Sequence, residues 1–155
     1  MVPPRGGAAN GPAAKQLSGP NLDLLGTRSP EIYGTVTLEE HLRRFRDAAL
    51  ESGFDVGDVQ SNFEGDLIEA IHDARGAYDA LVINLGALTH TSWALCDALA
   101  IYPGVKIEVH LSNPAAREPF RHVSVIAGVV NGTIAGFGGL SYDLALDAVR
   151  RLLEV

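Results

Sequence analysis

Beyond residue 14 the spacing of apolar positions alternates between two periods. Leu38, Leu42, Phe45 and Ala49 recur on one helical face, with Thr37 placed to cap the helix and Glu40 to complete a capping box. Residues 54–59 read as a strand. Asn62 can cap a second helix that carries Leu67, Ile68, Ile71 and Ala74. Residues 80–83 are wholly apolar, the mark of a strand covered on both faces, and they run into Asn84 and Gly86. A helix through Trp93, Leu95, Ala98 and Leu99 follows. Strands are predicted over 105–109 and 133–137. The last helix, capped by Ser141, bears Leu144, Ala145, Ala148, Val149 and Leu152. A first strand belongs before Gly19, yet residues 14–18 offer only one large apolar side chain, Leu17.

Buried strands separated by helices predict an α/β fold, a three-layer sandwich around a parallel five-stranded sheet with right-handed crossovers and flavodoxin-like strand order. Ligands in such folds sit beyond the carboxyl ends of the strands. Residues 1–14 are rich in Pro, Gly and Ala and read as a disordered tail, leaving a single domain over 15–155.

Composition narrows the partners. With 155 residues and 46% apolar side chains the chain can bury one ordinary core. Twelve basic against nineteen acidic residues give a formal charge of −7, which argues against nucleic acid as the partner. A small anion still fits where a few arginines converge. Cys96 is the single cysteine, so no intrachain disulfide is expected. No run approaches the ~20 apolar residues of a membrane span. No secretory signal is read, so the expected location is the cytoplasm.

Four polar segments fall where strands should end or loops should cross the site. They are residues 18–34 (SGPNLDLLGTRSPEIYG), 84–92 (NLGALTHTS), 107–113 (IEVHLSN) and 117–122 (REPFRH). Arg28 lies five residues before Tyr33. A phenol is a weak base near neutral pH, and neighbouring positive charge favours its anion. Glu108 and His110 are two apart on a predicted strand, so both side chains share a face and the carboxylate can orient the imidazole.

These four segments, in this order, resemble the signature of the type II 3-dehydroquinate dehydratases. The likeness runs from about Gly19 to the end of the last helix. It implies an anti elimination of water from 3-dehydroquinate through an enolate, with neither metal nor cofactor. The resemblance makes Tyr33 the general base, Arg28 its activator, and His110 the general acid for the departing hydroxyl with Glu108 as its partner. It implies that Asn21 holds a water near the enolate oxygen. It further implies that Asn84 and His90 bind substrate, that Ser112 and the Leu111 amide clamp its carboxylate, and that Arg121 contacts a ring hydroxyl and biases Tyr33. Asp97 matches an acid presented to a neighbouring subunit, within a homododecamer built from trimers. Arg117 receives no role. The chain departs from the pattern at Ser18, Ser29, Leu85, Cys96, Val125 and Ser141, none of them assigned to base, acid or carboxylate binding. A divergent, weakly active member serving as a binding or assembly module is the rival reading.

Other chemistries fit less well. Imine formation would rest on Lys15 or Lys106, one near the tail and one in a strand. A phosphoacceptor Asp is replaced by Asn84, and Pro20-Asn21 does not form a flavin phosphate loop. Residues 136–141 (GFGGLS) come too late for a dinucleotide fold and read as a turn before a helix. His72, His90, His110 and His122 are too scattered for zinc, and His41 is expected on an exposed helix face.

Overall fold

The structure is a computed structural model that describes residues 11–155. Five strands, β1 (Ala13–Ser18), β2 (Asp55–Gln60), β3 (Ala80–Asn84), β4 (Val105–His110) and β5 (Gly132–Ala135), form one sheet. All pairings are parallel, in the order β2-β1-β3-β4-β5. Five α-helices accompany it: α1 (Pro30–Tyr33), α2 (Leu38–Glu51), α3 (Glu64–Ala74), α4 (Trp93–Ile101) and α5 (Leu140–Leu152). This is the predicted three-layer α/β sandwich with flavodoxin-like order.

Strand alternation divides the core. Ala14, Val82, Ile107 and Val109 face one layer, where Phe45 and Ala49 of α2 meet Ala145, Leu146 and Val149 of α5. Leu17, Leu81 and Ile83 face the other, against Leu67 and Ile71 of α3 and Leu95 and Leu99 of α4. Both clusters are almost wholly removed from water, the main favourable term for the fold.

β1 corrects the expected boundary at residue 15. It takes in Ala13 and Ala14, both buried, and its backbone lies between β2 and β3 and pairs with both. Residues 1–10, the rest of the expected tail, lie outside the described residues. The two polar residues of β1 are nevertheless covered. Lys15 donates to the Ala70 carbonyl at 3.1 Å and rests over the Tyr78 ring, and burial holds its ammonium below the ordinary lysine range. Gln16 is 1% exposed and neither atom of its amide group has a partner.

Helix starts are mixed. Thr37 and Glu40 form the predicted capping box of α2, and Ser92 caps α4 through the Leu95 amide. Asn62 does not cap α3. The helix begins two residues later, Ser61 accepts from the Phe63 amide, and Asn62 accepts from the Asn21 amide across the sheet end. Ser141 lies inside the first turn of α5, where its Oγ accepts from the Phe137 amide. β5 ends at Ala135, two residues early, where Gly136 turns at φ 94°. His41, expected in solvent, is buried: it follows Leu38 by three and precedes Phe45 by four, so it shares their core-facing stripe and packs on Tyr142 with ring centroids 5.7 Å apart.

No helix among the described residues is long and apolar enough to cross a membrane.

Candidate active site

The carboxyl ends of β1, β3 and β4 converge on one cleft, beside the point where strand order reverses between β1 and β3. Tight turns bring them there. Gly19 follows β1 with its amide on the Asn84 carbonyl at 2.8 Å, and a Cβ at Gly19 would strike the Leu85 backbone. This close approach seats Leu22 on the cleft wall. Asn84, Gly86, Ala87 and His90 follow from β3, and His110, Leu111 and Ser112 from β4. Arg28 and Tyr33 close it from the α1 side, and Pro114, Arg117 and Arg121 from the segment after β4.

The wall carries three arginines and two histidines and no carboxylate. On a chain of formal charge −7 this is a local concentration of positive potential, suited to a small anion. The cleft is narrow and opens to solvent, with its polar groups converging on one small space.

Tyr33 ends the four-residue helix α1, flanked by Ser29 at φ 36° and Gly34 at φ 80°. Two guanidiniums attend its ring: that of Arg28 lies 4.8 Å from the centroid and that of Arg117 5.0 Å. Arg117 Nη1 also donates to Tyr33 Oη at 2.7 Å and to Ser112 Oγ at 3.3 Å. Sequence reasoning missed Arg117. It lies 84 residues from Tyr33, and only its place in the REPFRH segment hinted at a role. Arg121, expected to bias Tyr33, lines the cleft but donates to Glu118 at 2.6 Å and lies over Phe120. The direct bond to the phenol is Arg117's.

On the opposite wall, β4 alternates Ile107 and Val109 towards α5 with Lys106, Glu108 and His110 towards α4. The polar face is satisfied residue by residue. Lys106 Nζ donates to the carbonyls of Leu99 and Tyr102 at the end of α4. Glu108, 2% exposed, accepts from His110 Nε2 at 2.6 Å and from Ser124 Oγ at 2.8 Å. A carboxylate only accepts, so Nε2 of His110 carries the hydrogen and Nδ1 is left to serve the cleft. His90 stacks on His110 with centroids 6.4 Å apart, and its Nδ1 meets the Val123 carbonyl at 2.8 Å. That carbonyl fixes the hydrogen on Nδ1 and frees Nε2 of His90.

Thus Tyr33, Arg28, His110, Asn84, His90, Leu111, Ser112 and Arg121 share one cleft, with Glu108 directly behind it. Asn84 is buried, its Oδ1 on the Gly86 amide. Two expected residues stand apart. Asn21 is exposed in a left-handed conformation, adjacent in sequence to Leu22 of the cleft wall but not on that wall itself. Asp97 is exposed on α4 and is not on this wall. Among the described residues, no group of three or more His, Cys, Asp or Glu could hold a metal ion.

Comparison with known proteins agrees. The chain matches the dehydroquinase class II family over residues 14–150. It is 53% identical to the 3-dehydroquinate dehydratase of Ruegeria pomeroyi over 133 residues, covering 86% of this chain and 89% of that one. It superposes on the type II dehydroquinase of Propionibacterium acnes with TM-score 0.86 and 42% identity, over 90% of this chain and 96% of the other. On that of Butyrivibrio crossotus the TM-score is 0.88 at 40% identity, over 90% and 98%. In sequence and in fold, this chain belongs to the class II dehydroquinase family.

Proposed function

We propose that this protein is a 3-dehydroquinate dehydratase, a hydro-lyase that eliminates water from 3-dehydroquinate to give 3-dehydroshikimate. One observation carries the reading: a phenol bonded to a guanidinium and an imidazole bonded to a carboxylate open onto a single cationic cleft.

The chemistry follows from the groups. Substrate enters above the strand ends, and its carboxylate meets Ser112 and the amide of Leu111. The anion of Tyr33, favoured by Arg117 at its oxygen and Arg28 at its face, takes the proton from C2 beside the ketone. Charge passes to the ketone oxygen as an enolate, near a water held by Asn21. Asn84, His90 and Arg121 hold the ring. His110, as the cation, gives its Nδ1 proton to the C1 hydroxyl on the opposite face, and water departs. Glu108 orients and stabilises that cation. General acid and general base catalysis each contribute typically ~10²–10⁴-fold. Asp97 serves the cleft of a neighbouring copy in a homododecamer built from trimers, which light scattering after size exclusion would detect. We place the enzyme in the cytoplasm, in keeping with its lone cysteine.

The test is direct. Mixing protein with 3-dehydroquinate should produce the absorbance of a conjugated enone. Tyr33→Phe and His110→Asn should each slow this by about 10²-fold or more while substrate still binds. Near-normal turnover in either variant would remove that residue from its role, and no enone from the unaltered protein would end the proposal.

A further inference from the structure

The family chemistry needs a base and an acid, and nothing in it calls for Ser124. The structure nevertheless gives this serine a defined position. Its hydroxyl donates to Glu108 Oε1 at 2.8 Å, while the other oxygen of the same carboxylate accepts from His110. Ser124 lines a neighbouring cavity that also touches Glu108 and His110 and is absent from the cleft wall, so its bonded connection to the cleft runs through Glu108 to His110.

The segment bearing it is tied down on both sides. The Val125 amide donates to the Thr89 carbonyl at 2.9 Å, Ile126 is fully buried against the α3–α4 layer, and the Val123 carbonyl holds His90. The hydroxyl is therefore presented from a fixed backbone. This matters because the last torsion of a Glu side chain is broad. One hydrogen bond would leave the carboxylate free to swing away from the imidazole. A second donor on Oε1 fixes its plane and keeps Oε2 on Nε2, with Nδ1 of His110 turned to the cleft.

We infer that Ser124 is a positioning residue for the general acid, acting through Glu108. This rests on the reading of His110 as that acid. The segment 123–126 sets both imidazoles of the site, one through a carbonyl and one through the serine hydroxyl.

The experiment compares Ser124→Ala and Ser124→Thr in the full assembled protein, alone and combined with His110→Asn. Loss of a hydrogen bond to a charged group should lower kcat of Ser124→Ala by about 10- to 100-fold. KM should stay within about two-fold, because no substrate contact is touched. Ser124→Thr keeps the hydroxyl and should recover most of the rate. The proton resonance of His110 Nε2–H, identified by its disappearance in His110→Asn, should move in Ser124→Ala and return in Ser124→Thr. Added to His110→Asn, the alanine should cause no further loss. Unchanged kcat in Ser124→Ala, equal loss in both serine variants, or additive loss on top of His110→Asn would overturn the inference while leaving the acid in place. Normal turnover by His110→Asn would instead remove the acid assignment and the role of Ser124 with it.

Discussion

Replacing Arg117 by Met isolates the contact that sequence reasoning did not foresee. The side chain keeps much of its volume and loses its charge and its bonds to Tyr33 Oη and Ser112 Oγ. Coulomb's law at the 2.7 Å separation, with an effective dielectric of ~20, gives about 6 kcal/mol between this cation and a phenolate. That is an upper bound. Water enters the vacated space, and Arg28 keeps a positive charge 4.8 Å from the ring centre. Hydrogen bonds to charged groups are worth about 1.5–3 kcal/mol in practice. The Arg117 side chain is only 13% exposed, which favours the upper part of that range. The expected loss in kcat is therefore about 10- to 150-fold. KM should rise modestly, since Ser112 loses a partner at 3.3 Å. Arg117→Lys keeps charge without the planar fork and should fall between the two. Following enone formation in the three proteins gives the decisive comparison. If the charge and the bond of Arg117 serve the base, Arg117→Met should lose clearly more rate than Arg117→Lys. A deficit below about three-fold in Arg117→Met, or an equal deficit in the two variants, would refute this account of how the base is served.

Three further outcomes follow from other parts of the molecule. Gln16→Leu should stabilise the protein by about 1–3 kcal/mol in chemical denaturation, because it removes two buried polar atoms that lack partners; a lower midpoint would mean the amide is satisfied in solution. Burial, reinforced by the Arg44 charge, holds the His41 imidazole below its ordinary value of 6.5, so the unfolded chain binds that proton first and stability should fall as pH drops through about 6.5. His41→Leu should weaken this loss in thermal melts at several pH values, and an identical slope would show that His41 does not contribute. If Asp97 completes a neighbour's cleft, Asp97→Asn and Tyr33→Phe subunits, each nearly inactive, should regain activity when unfolded and refolded together; mixtures no better than their parents would leave Asp97 a surface carboxylate.

The legibility of the sequence followed how local each signal was. β3 could be read because Ala80, Leu81, Val82 and Ile83 are apolar on both faces of the sheet, and α2 because its cap and its stripe agree. β1 was hard to read because Lys15 and Gln16 are polar. Pairing with two neighbouring strands and a carbonyl on α3 outweigh that composition, and both are tertiary facts. His41 shows the same override: its helical phase already pointed inward, and its polarity argued otherwise. At the site, Glu108 and His110 were readable as a pair because a strand's period of two is local. The bonds of Arg117 to Tyr33 and of Ser124 to Glu108 join segments 84 and 16 residues apart, and no pattern in one chain encodes them.

The two halves of the site are built on foundations of unequal stiffness. The imidazole and its carboxylate belong to β4, an interior strand paired on both sides. The phenol belongs to a single turn of helix hung between two residues of left-handed backbone, with Ile32 exposed beside it. Redesign towards bulkier hydroxy-keto acids therefore has a natural seam. The short turn that carries Arg28 and Tyr33 can be re-hung to reshape what the outer wall admits, while the dehydrating half is carried over untouched on its strand.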